Sequence, residues 1–77
     1  MPKLILYTTD ARHLCKEAEL LLGELAKTQG LEVETIDISL DEKLVSLYGI
    51  RIPVVKNPAT DEEIGWPFGL SELASLF

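Results

Sequence analysis

The sequence predicts a single α/β domain, residues 1–77, with a mixed four-stranded sheet, and three patterns lead to that fold class. A short, continuous apolar run at 4–7 is typical of a strand that is buried on both faces. A long segment with apolar residues at helical spacing follows it. Two short apolar segments near the end, separated by a turn cluster, indicate a β-hairpin. The order β-α-β-α-β-β-α predicts that the first two strands are parallel, because a helix joins them, and that the last two are antiparallel.

The first strand covers Lys3–Thr8 and leads into the longest helix, which we predict over 11–29. Thr9 or Asp10 can cap this helix, because a short polar side chain accepts hydrogen bonds from the unpaired amides at a helix start. Gly30 suits the position just past the helix end, where the backbone often turns left-handed. The stripe that should face the core consists of Ala11, Leu14, Cys15, Ala18, Leu22 and Leu25.

The middle of the chain predicts a second strand and a short helix. Alternation over 31–37 indicates the strand, and its phase changes at Thr35, where we expect a bulge or an early end. Ser39 and Glu42 have the spacing of a capping box, so a helix should begin there and end near Gly49. The apolar face of this helix should contain Leu40, Leu44, Leu47 and Tyr48.

A proline marks the start of the third strand, 52–56, because a strand can begin at a residue that donates no ladder hydrogen bond. A turn cluster at 57–61 joins this strand to a fourth, near 63–66. Ser71 can then cap a final helix. The residues of this helix that should face inward are Leu70, Leu73, Leu76 and Phe77.

Apolar burial must stabilise the domain, because the composition offers no covalent or metal staple. Of 77 residues, 47% are hydrophobic, and the chain has one cysteine and one histidine. One cysteine cannot form an internal disulfide, and these two residues cannot complete a four-ligand structural metal site. A lone cysteine suits a reducing compartment. Since no signal-peptide pattern or membrane-length apolar run accompanies it, we expect a cytoplasmic protein.

The formal net charge of −6 makes nucleic acids and anionic membranes poor partners. Their phosphates would be repelled, and the sequence has no basic cluster to offset the repulsion. The patterns predict no long exposed apolar helix that would require a dimer, so we expect a monomer.

Three stretches of the sequence are more specific: "LILYTTDARHLCKEAELLL", "YGIRIPVV" and "GWPF". With the element order, they resemble the small bacterial glutaredoxin-like proteins of the thioredoxin-fold superfamily over nearly the whole chain. The resemblance implies a three-layer sandwich with helices on both faces of the sheet. It implies no bound cofactor, and it makes glutathione or a protein thiol the candidate substrate or partner.

The junction after the first strand departs from the pattern of these relatives. Theirs typically reads Cys-His-Leu-Cys, in which the first cysteine is the exposed nucleophile and the second resolves the mixed disulfide. Here Arg12 stands at the first position, while His13, Leu14 and Cys15 match the remainder. The resemblance therefore implies that the dithiol pair is lost. It also argues against iron–sulfur binding, which in single-cysteine relatives uses the first cysteine.

The resemblance further implies a cis peptide bond before Pro53, beside the helix start that carries Arg12 and Cys15. In the family, this arrangement leaves the backbone of the preceding residue, here Ile52, free to pair with an extended thiol peptide. We therefore expect a binding groove beside Pro53.

Cys15 is the candidate catalytic residue, and two opposed interpretations of it remain open. The positive end of the helix and the guanidinium of Arg12, three residues earlier, favour a reactive thiolate. The core-facing stripe to which Cys15 belongs favours a small, buried and inert hydrophobe instead. In either case, no second cysteine can resolve a mixed disulfide within this chain.

Other side chains are candidates for substrate binding. His13 lies near the helix start, where a solvent-facing position is a simpler expectation than a catalytic base. Tyr7 lies near the end of the first strand and can point toward the groove. Trp66 can either line the rim of the groove or close the open end of the core with Phe68. Arg51 can either meet the carboxylate of a bound peptide or stay solvated.

Three functions follow from these alternatives. The first is a degenerate glutaredoxin-like domain that binds a thiol peptide or a protein partner beside Pro53, with little or no dithiol oxidoreductase activity. The second is single-cysteine thiol–disulfide exchange through Cys15, with a glutathione mixed disulfide as the intermediate. The third is a small structural or interaction domain without a groove ligand.

Overall fold

The computed structural model of the protein describes residues 3–9 and 13–76. Within these ranges the elements follow the predicted order: β1 Lys3–Thr8, α1 His13–Gln29, β2 Glu32–Asp37, α2 Glu42–Tyr48, β3 Val54–Lys56, β4 Glu63–Gly65 and α3 Leu70–Ala74. The predictions that concern Asp10, Ala11, the surroundings of Arg12 and Phe77 lie outside the described residues.

The four strands form one mixed sheet in the order β2-β1-β3-β4, which confirms the predicted architecture. β1 and β2 are parallel, while β1–β3 and β3–β4 are antiparallel. The parallel register runs without interruption from Lys3 opposite Glu32 to Thr8 opposite Asp37. The bulge expected at Thr35 is therefore absent. The phase change in the sequence arises because β2 is an outer strand whose two faces are both partly exposed.

The first core lies on the sheet face that α1 and α3 cover. Alternate residues of a strand point to opposite faces, so Leu4 and Leu6 point together to this side, and both are fully buried. They pack with Leu22 of α1 and Leu73 of α3 in one apolar cluster.

The second core lies on the opposite face, where α2 packs. It consists of Tyr7, Cys15, Ile38, Tyr48, Ile52 and Val54. The two cores put helices on both sides of the sheet and give the expected three layers. No helix in the described ranges is long and apolar enough to cross a membrane.

Helix α1 ends as the sequence predicts, but its first turn differs. Gly30 adopts a φ of 65°, and its amide donates to the carbonyl of Ala26 at 3.0 Å, which satisfies one of the carbonyls left free at the helix end. Leu14 is 40% exposed rather than part of the core stripe. In this first turn Cys15 rather than Leu14 points inward.

Helix α2 begins later than predicted, and this changes its apolar face. A 3₁₀ turn at Ile38–Leu40 precedes it, and the side chain of Asp41, not Ser39, caps it by accepting from the amide of Lys43 at 2.9 Å. The predicted inward positions of Leu40 and Leu47 are wrong, because Leu40 lies in the 3₁₀ turn, outside the helical phase of α2, and Leu47 lies on the exposed side of α2. Leu40 is 86% exposed and Leu47 is 60% exposed. Tyr48 is buried as predicted.

The cap of α3 also differs from the prediction. The carboxylate of Glu72 accepts a hydrogen bond from the amide of Gly69 at 2.6 Å, whereas the hydroxyl of Ser71 donates to that same side chain at 2.7 Å. The helix thus begins at Leu70, one residue before Ser71. This start leaves Leu70 half exposed, while Leu73 is buried.

Two glycines of the α1 region should respond oppositely to alanine substitution. Gly23 lies inside the helix and is exposed, and an added Cβ would meet no atom within 4 Å. Gly23→Ala should therefore raise the free energy of unfolding by about 1 kcal/mol, the usual difference in helix propensity. Gly30→Ala should lower it by about 1 kcal/mol, because a Cβ is strained at positive φ. Urea unfolding followed by circular dichroism measures both changes, and a stabilising Gly30→Ala would contradict the left-handed helix end.

Candidate functional site

The site predicted around Cys15 lies where the first turn of α1 meets the second core. Helix α1 begins at His13, which places Cys15 two residues inside it. The Cys15 side chain packs with Tyr7, Tyr48 and Ile52, and the residue is only 1% exposed. Thiol exchange requires a thiolate that a partner sulfur can approach. In this conformation the sulfur is shielded from thiol reagents and from disulfide substrates.

The peptide bond between Ile52 and Pro53 is cis, as is the bond between Trp66 and Pro67. Pro53 is fully buried, and Ile52 is buried in the second core beside Cys15. The structure thus brings together Cys15 and the backbone that precedes Pro53.

The backbone amide of Ile52 is not free, which corrects the expectation carried by the resemblance. It donates to the carbonyl of Tyr48 at 3.0 Å, and the amide of Arg51 donates to the same oxygen at 2.8 Å. The last carbonyls of a helix have no partner within the helix, so Tyr48 at the end of α2 accepts from the loop that follows. Only the carbonyl of Ile52 then remains for an extended ligand, because no amide of the described residues donates to it.

Tyr7 and Tyr48 form the aromatic centre of the second core. Their ring centroids are 4.4 Å apart and their planes differ by 16°, so the rings are stacked. Tyr7 is 8% exposed and therefore contributes packing rather than an open rim. Tyr7 and Cys15 belong to the same buried cluster.

A polar network that the sequence did not predict covers this aromatic pair. The hydroxyl of Tyr48 donates to Glu63 Oε2 at 2.5 Å, and Arg51 Nη2 donates to Glu63 Oε1 at 3.2 Å. The Arg51 guanidinium also lies 5.5 Å from the centre of the Tyr48 ring. Arg51, a candidate partner for a ligand carboxylate, forms an ion pair with Glu63 of its own chain instead.

Burial raises the pKa of the Tyr48 hydroxyl far above its ordinary value, and the hydrogen bond to Glu63 and the charge of that carboxylate raise this pKa further. No local sequence pattern indicates this network. Tyr48 and Glu63 are 15 positions apart and belong to different elements, so their contact depends on how α2 packs over β4.

The backbone of Trp66 is hydrogen-bonded to Pro53, but its ring lies on the other side of the sheet. Its amide donates to the carbonyl of Pro53 at 3.0 Å. The partly buried ring packs against the first core and contacts Phe68 edge to face, with centroids 5.1 Å apart. The geometry favours the core-closing role over the rim of a groove on the Cys15 side.

The remaining candidates are less constrained. His13 is exposed at the first residue of α1. The proximity of the Arg12 guanidinium to Cys15 stays a prediction, because Arg12 lies outside the described residues.

Thr8 has a buried hydroxyl without a hydrogen-bond partner in the described part of the chain, a feature that the sequence analysis missed. The described residues contain no cluster of three or more side chains suited to bind a metal ion.

Comparison with known protein families identifies the family of this chain. The model of the glutaredoxin-like domain family (DUF836) matches residues 3–77. The chain belongs to this glutaredoxin-like family. The match confirms the resemblance drawn from the three sequence stretches, and it spans every helix and strand described above.

Two solved structures are similar to the chain over most of its length. The X-ray structure of protein XcR50 from X. campestris is 35% identical, with a TM-score of 0.76 and coverage of 94% of this chain and 91% of that one. The solution structure of Ne2328 from Nitrosomonas europaea is 31% identical, with a TM-score of 0.81 and coverage of 97% and 91%. The chain therefore has a thioredoxin-like fold. No curated protein matches it.

The Tyr48–Glu63 hydrogen bond should make the glutaredoxin-like domain sensitive to high pH. A phenol whose pKa is raised by folding stabilises the native state below about pH 10, and this contribution is lost as the pH rises above that value. We expect the free energy of unfolding of the native chain to fall above about pH 10, with a smaller fall in Tyr48→Phe. At pH 7, Tyr48→Phe should be destabilised by about 1–2 kcal/mol, because Glu63 loses a donor.

Urea titrations at pH 7 and at pH 10.5 measure this difference. Tyr7→Phe is the matched control, because it keeps the stacked ring and leaves the Glu63 bond intact. Ionisation of Tyr48 in the native protein at the ordinary tyrosine pKa, seen by ultraviolet absorbance, would contradict the described environment.

Proposed function

We propose that this glutaredoxin-like domain binds a thiol peptide or a protein partner beside Pro53 and has little or no dithiol oxidoreductase activity. The observation that carries the proposal is the 1% exposure of Cys15, the one cysteine in the sequence. A protein thiol that is buried among apolar side chains behaves as a small hydrophobe. Cys15 thus serves the packing of the second core.

The chemistry of thiol exchange supports the same conclusion. Reduction of a disulfide begins when a thiolate attacks one sulfur and forms a mixed disulfide, which a second thiol must then resolve. By the resemblance, Arg12 stands at the position of the attacking cysteine, and the chain has no other cysteine to resolve an intermediate. Any disulfide would therefore have to join Cys15 to glutathione or to another protein.

Binding would use two groups around this position, the first of which belongs to Ile52, a residue that is only 4% exposed. The carbonyl of Ile52 offers a hydrogen-bond acceptor to an extended peptide backbone, and the exposed His13 offers donors at the start of α1. Arg12 would add a fixed positive charge that suits a peptide carboxylate. Because the amide of Ile52 is bonded to Tyr48, the backbone contact has one hydrogen bond instead of two, and the affinity for a short peptide is correspondingly modest.

A second candidate is a structural or interaction domain without a groove ligand. It is favoured by the occupied amide of Ile52 and by the full burial of Pro53. The enzymatic alternative, a glutathione mixed disulfide on Cys15, requires the second core to open before each reaction. For all three functions we propose a reducing, cytoplasmic setting, in which a lone cysteine stays free.

The burial of Cys15 predicts slow reaction with a small aromatic disulfide reagent at neutral pH. The native chain should react at least about a hundredfold more slowly than the chain in urea, because the sulfur is reached only through local opening. In a glutathione-coupled disulfide reductase assay, the native chain should show no turnover above the blank. Arg12→Cys is the matched variant, and it should form an internal disulfide with Cys15 on oxidation. Turnover of the native chain that Cys15→Ser abolishes would refute the proposal.

A titration with S-methylglutathione separates the binding domain from the structural domain, because this peptide cannot form a disulfide. If the binding proposal holds, amide NMR shifts should saturate and cluster at His13, Ile52 and the neighbouring backbone. Oxidised glutathione, as a second ligand, should shift the same amides without adding mass to the protein. The absence of shifts at millimolar peptide would exclude the groove and leave the structural domain.

A further inference from the structure

The outer strand of the sheet offers a backbone edge that nothing in the described chain covers. β2 pairs only with β1, and the sheet order places it at one end. No described strand, turn or loop forms a backbone hydrogen bond with its outer side. In a strand, alternate N–H and C=O groups point outward, so an edge of this kind can receive another extended segment.

A groove runs along this edge, between α1 and β2. On the α1 side the groove is lined by Leu22 and Ala26 and by the acidic Glu19, and on the β2 side by Val33 and Thr35. Gly23 lies between the two helix residues, and no atom lies within 4 Å of where its Cβ would be. Glycine is unfavourable inside a helix, and no contact within the chain requires it here. Its effect is to keep the groove open, so that an incoming side chain can lie against the helix backbone.

The two faces of β2 differ in chemistry. Val33 and Thr35 point to the groove, while Glu32 and Glu34 alternate with them and point to the other face of the sheet, where both are exposed. Glu34 contacts Lys3 at 2.7 Å, but this ion pair is solvent-exposed and contributes little. A segment that extends the sheet would therefore meet the carboxylates of Glu32 and Glu34 with one half of its side chains. The other half would meet a mainly apolar groove that has the Glu19 carboxylate on its α1 side.

We propose that the edge of β2 and the adjoining groove bind an extended segment of a partner protein in which basic and apolar residues alternate. Its basic side chains would lie opposite Glu32 and Glu34, and its apolar side chains would enter the groove over Gly23. Main-chain hydrogen bonds to β2 supply affinity, and the alternation supplies specificity. The groove shares no residue with the second core, and of β2 only Ile36 packs against that core, so the inference does not depend on the proposed function at Cys15.

A second copy of this chain is a poorer occupant of the same edge. Two β2 strands that pair about a two-fold axis keep the same residues on the same face, so glutamates of one strand lie opposite or diagonal to glutamates of the other. Like charges across a strand pair are destabilising. The net charge of −6 on each chain adds a general repulsion.

The test uses the full chain and a synthetic probe, the acetylated and amidated hexapeptide Lys-Val-Lys-Val-Lys-Val. Saturable amide shifts are expected along β2 and at 19–26 of α1, and binding should weaken as salt rises. The double variant Glu32→Gln/Glu34→Gln should weaken binding roughly fivefold, because two cross-strand charge pairs are lost. Gly23→Leu should abolish the shifts on the α1 side, since leucine favours the helix but fills the groove.

Controls separate this surface from general charge attraction. Glu42→Gln/Glu62→Gln removes the same number of charges away from β2 and should leave binding unchanged. The hexapeptide Lys-Lys-Lys-Val-Val-Val has the same composition without the alternation and should bind more weakly. Equal binding of both hexapeptides, shifts that map away from β2, or no shifts at millimolar peptide would overturn the proposal. Concentration-dependent dimerisation through β2 in sedimentation would also overturn it in favour of a second copy.

Discussion

The burial of β1 on both faces is the constraint on which the rest of the structure depends. β1 lies between β2 and β3, so its backbone is paired on both sides. Alternation then sends Leu4 and Leu6 into the first core and Tyr7 into the second. A shift of one residue in register would exchange these sets, and neither core could form. The helices on both faces of the sheet pack against the side chains of β1.

Tyr48 couples the second core to the backbone near Pro53. Its ring stacks on Tyr7, its hydroxyl reaches Glu63 and its carbonyl accepts the amides of Arg51 and Ile52. One residue at the end of α2 therefore packs the core and fixes the loop that leads into β3. Because the amide of Ile52 donates to the carbonyl of Tyr48 at the end of α2, this amide is not available at the place where the relatives are expected to bind a thiol peptide. A role in binding and packing follows more readily from this arrangement than a role in thiol transfer.

The candidate site and the β2 edge differ in which chemical groups remain free to bind a partner. At Cys15 the chain has buried its reactive atom, and its polar groups are largely bonded to one another. At β2 three features are exposed: the backbone edge, the acidic face and the open position at Gly23. Together they suit the proposed extended segment of alternating basic and apolar residues. Backbone groups left without partners at an exposed edge provide a general means of recognition in a domain whose thiol is closed off.

The sequence by itself determined the order of the elements, the mixed sheet and the end of α1 at Gly30, because these depend on local periodicity and on backbone conformations that few residues adopt. It also determined that no disulfide can form within these 77 residues, since Cys15 is the one cysteine among them. The tertiary structure decided the cap of α2 at Asp41, the exposure of Leu40 and the bonded amide of Ile52. These features depend on where a 3₁₀ turn breaks the helical phase and on which distant groups reach an unpaired carbonyl. Only the packed chain fixes such contacts, because the partners are brought together by burial and not by their spacing in the sequence.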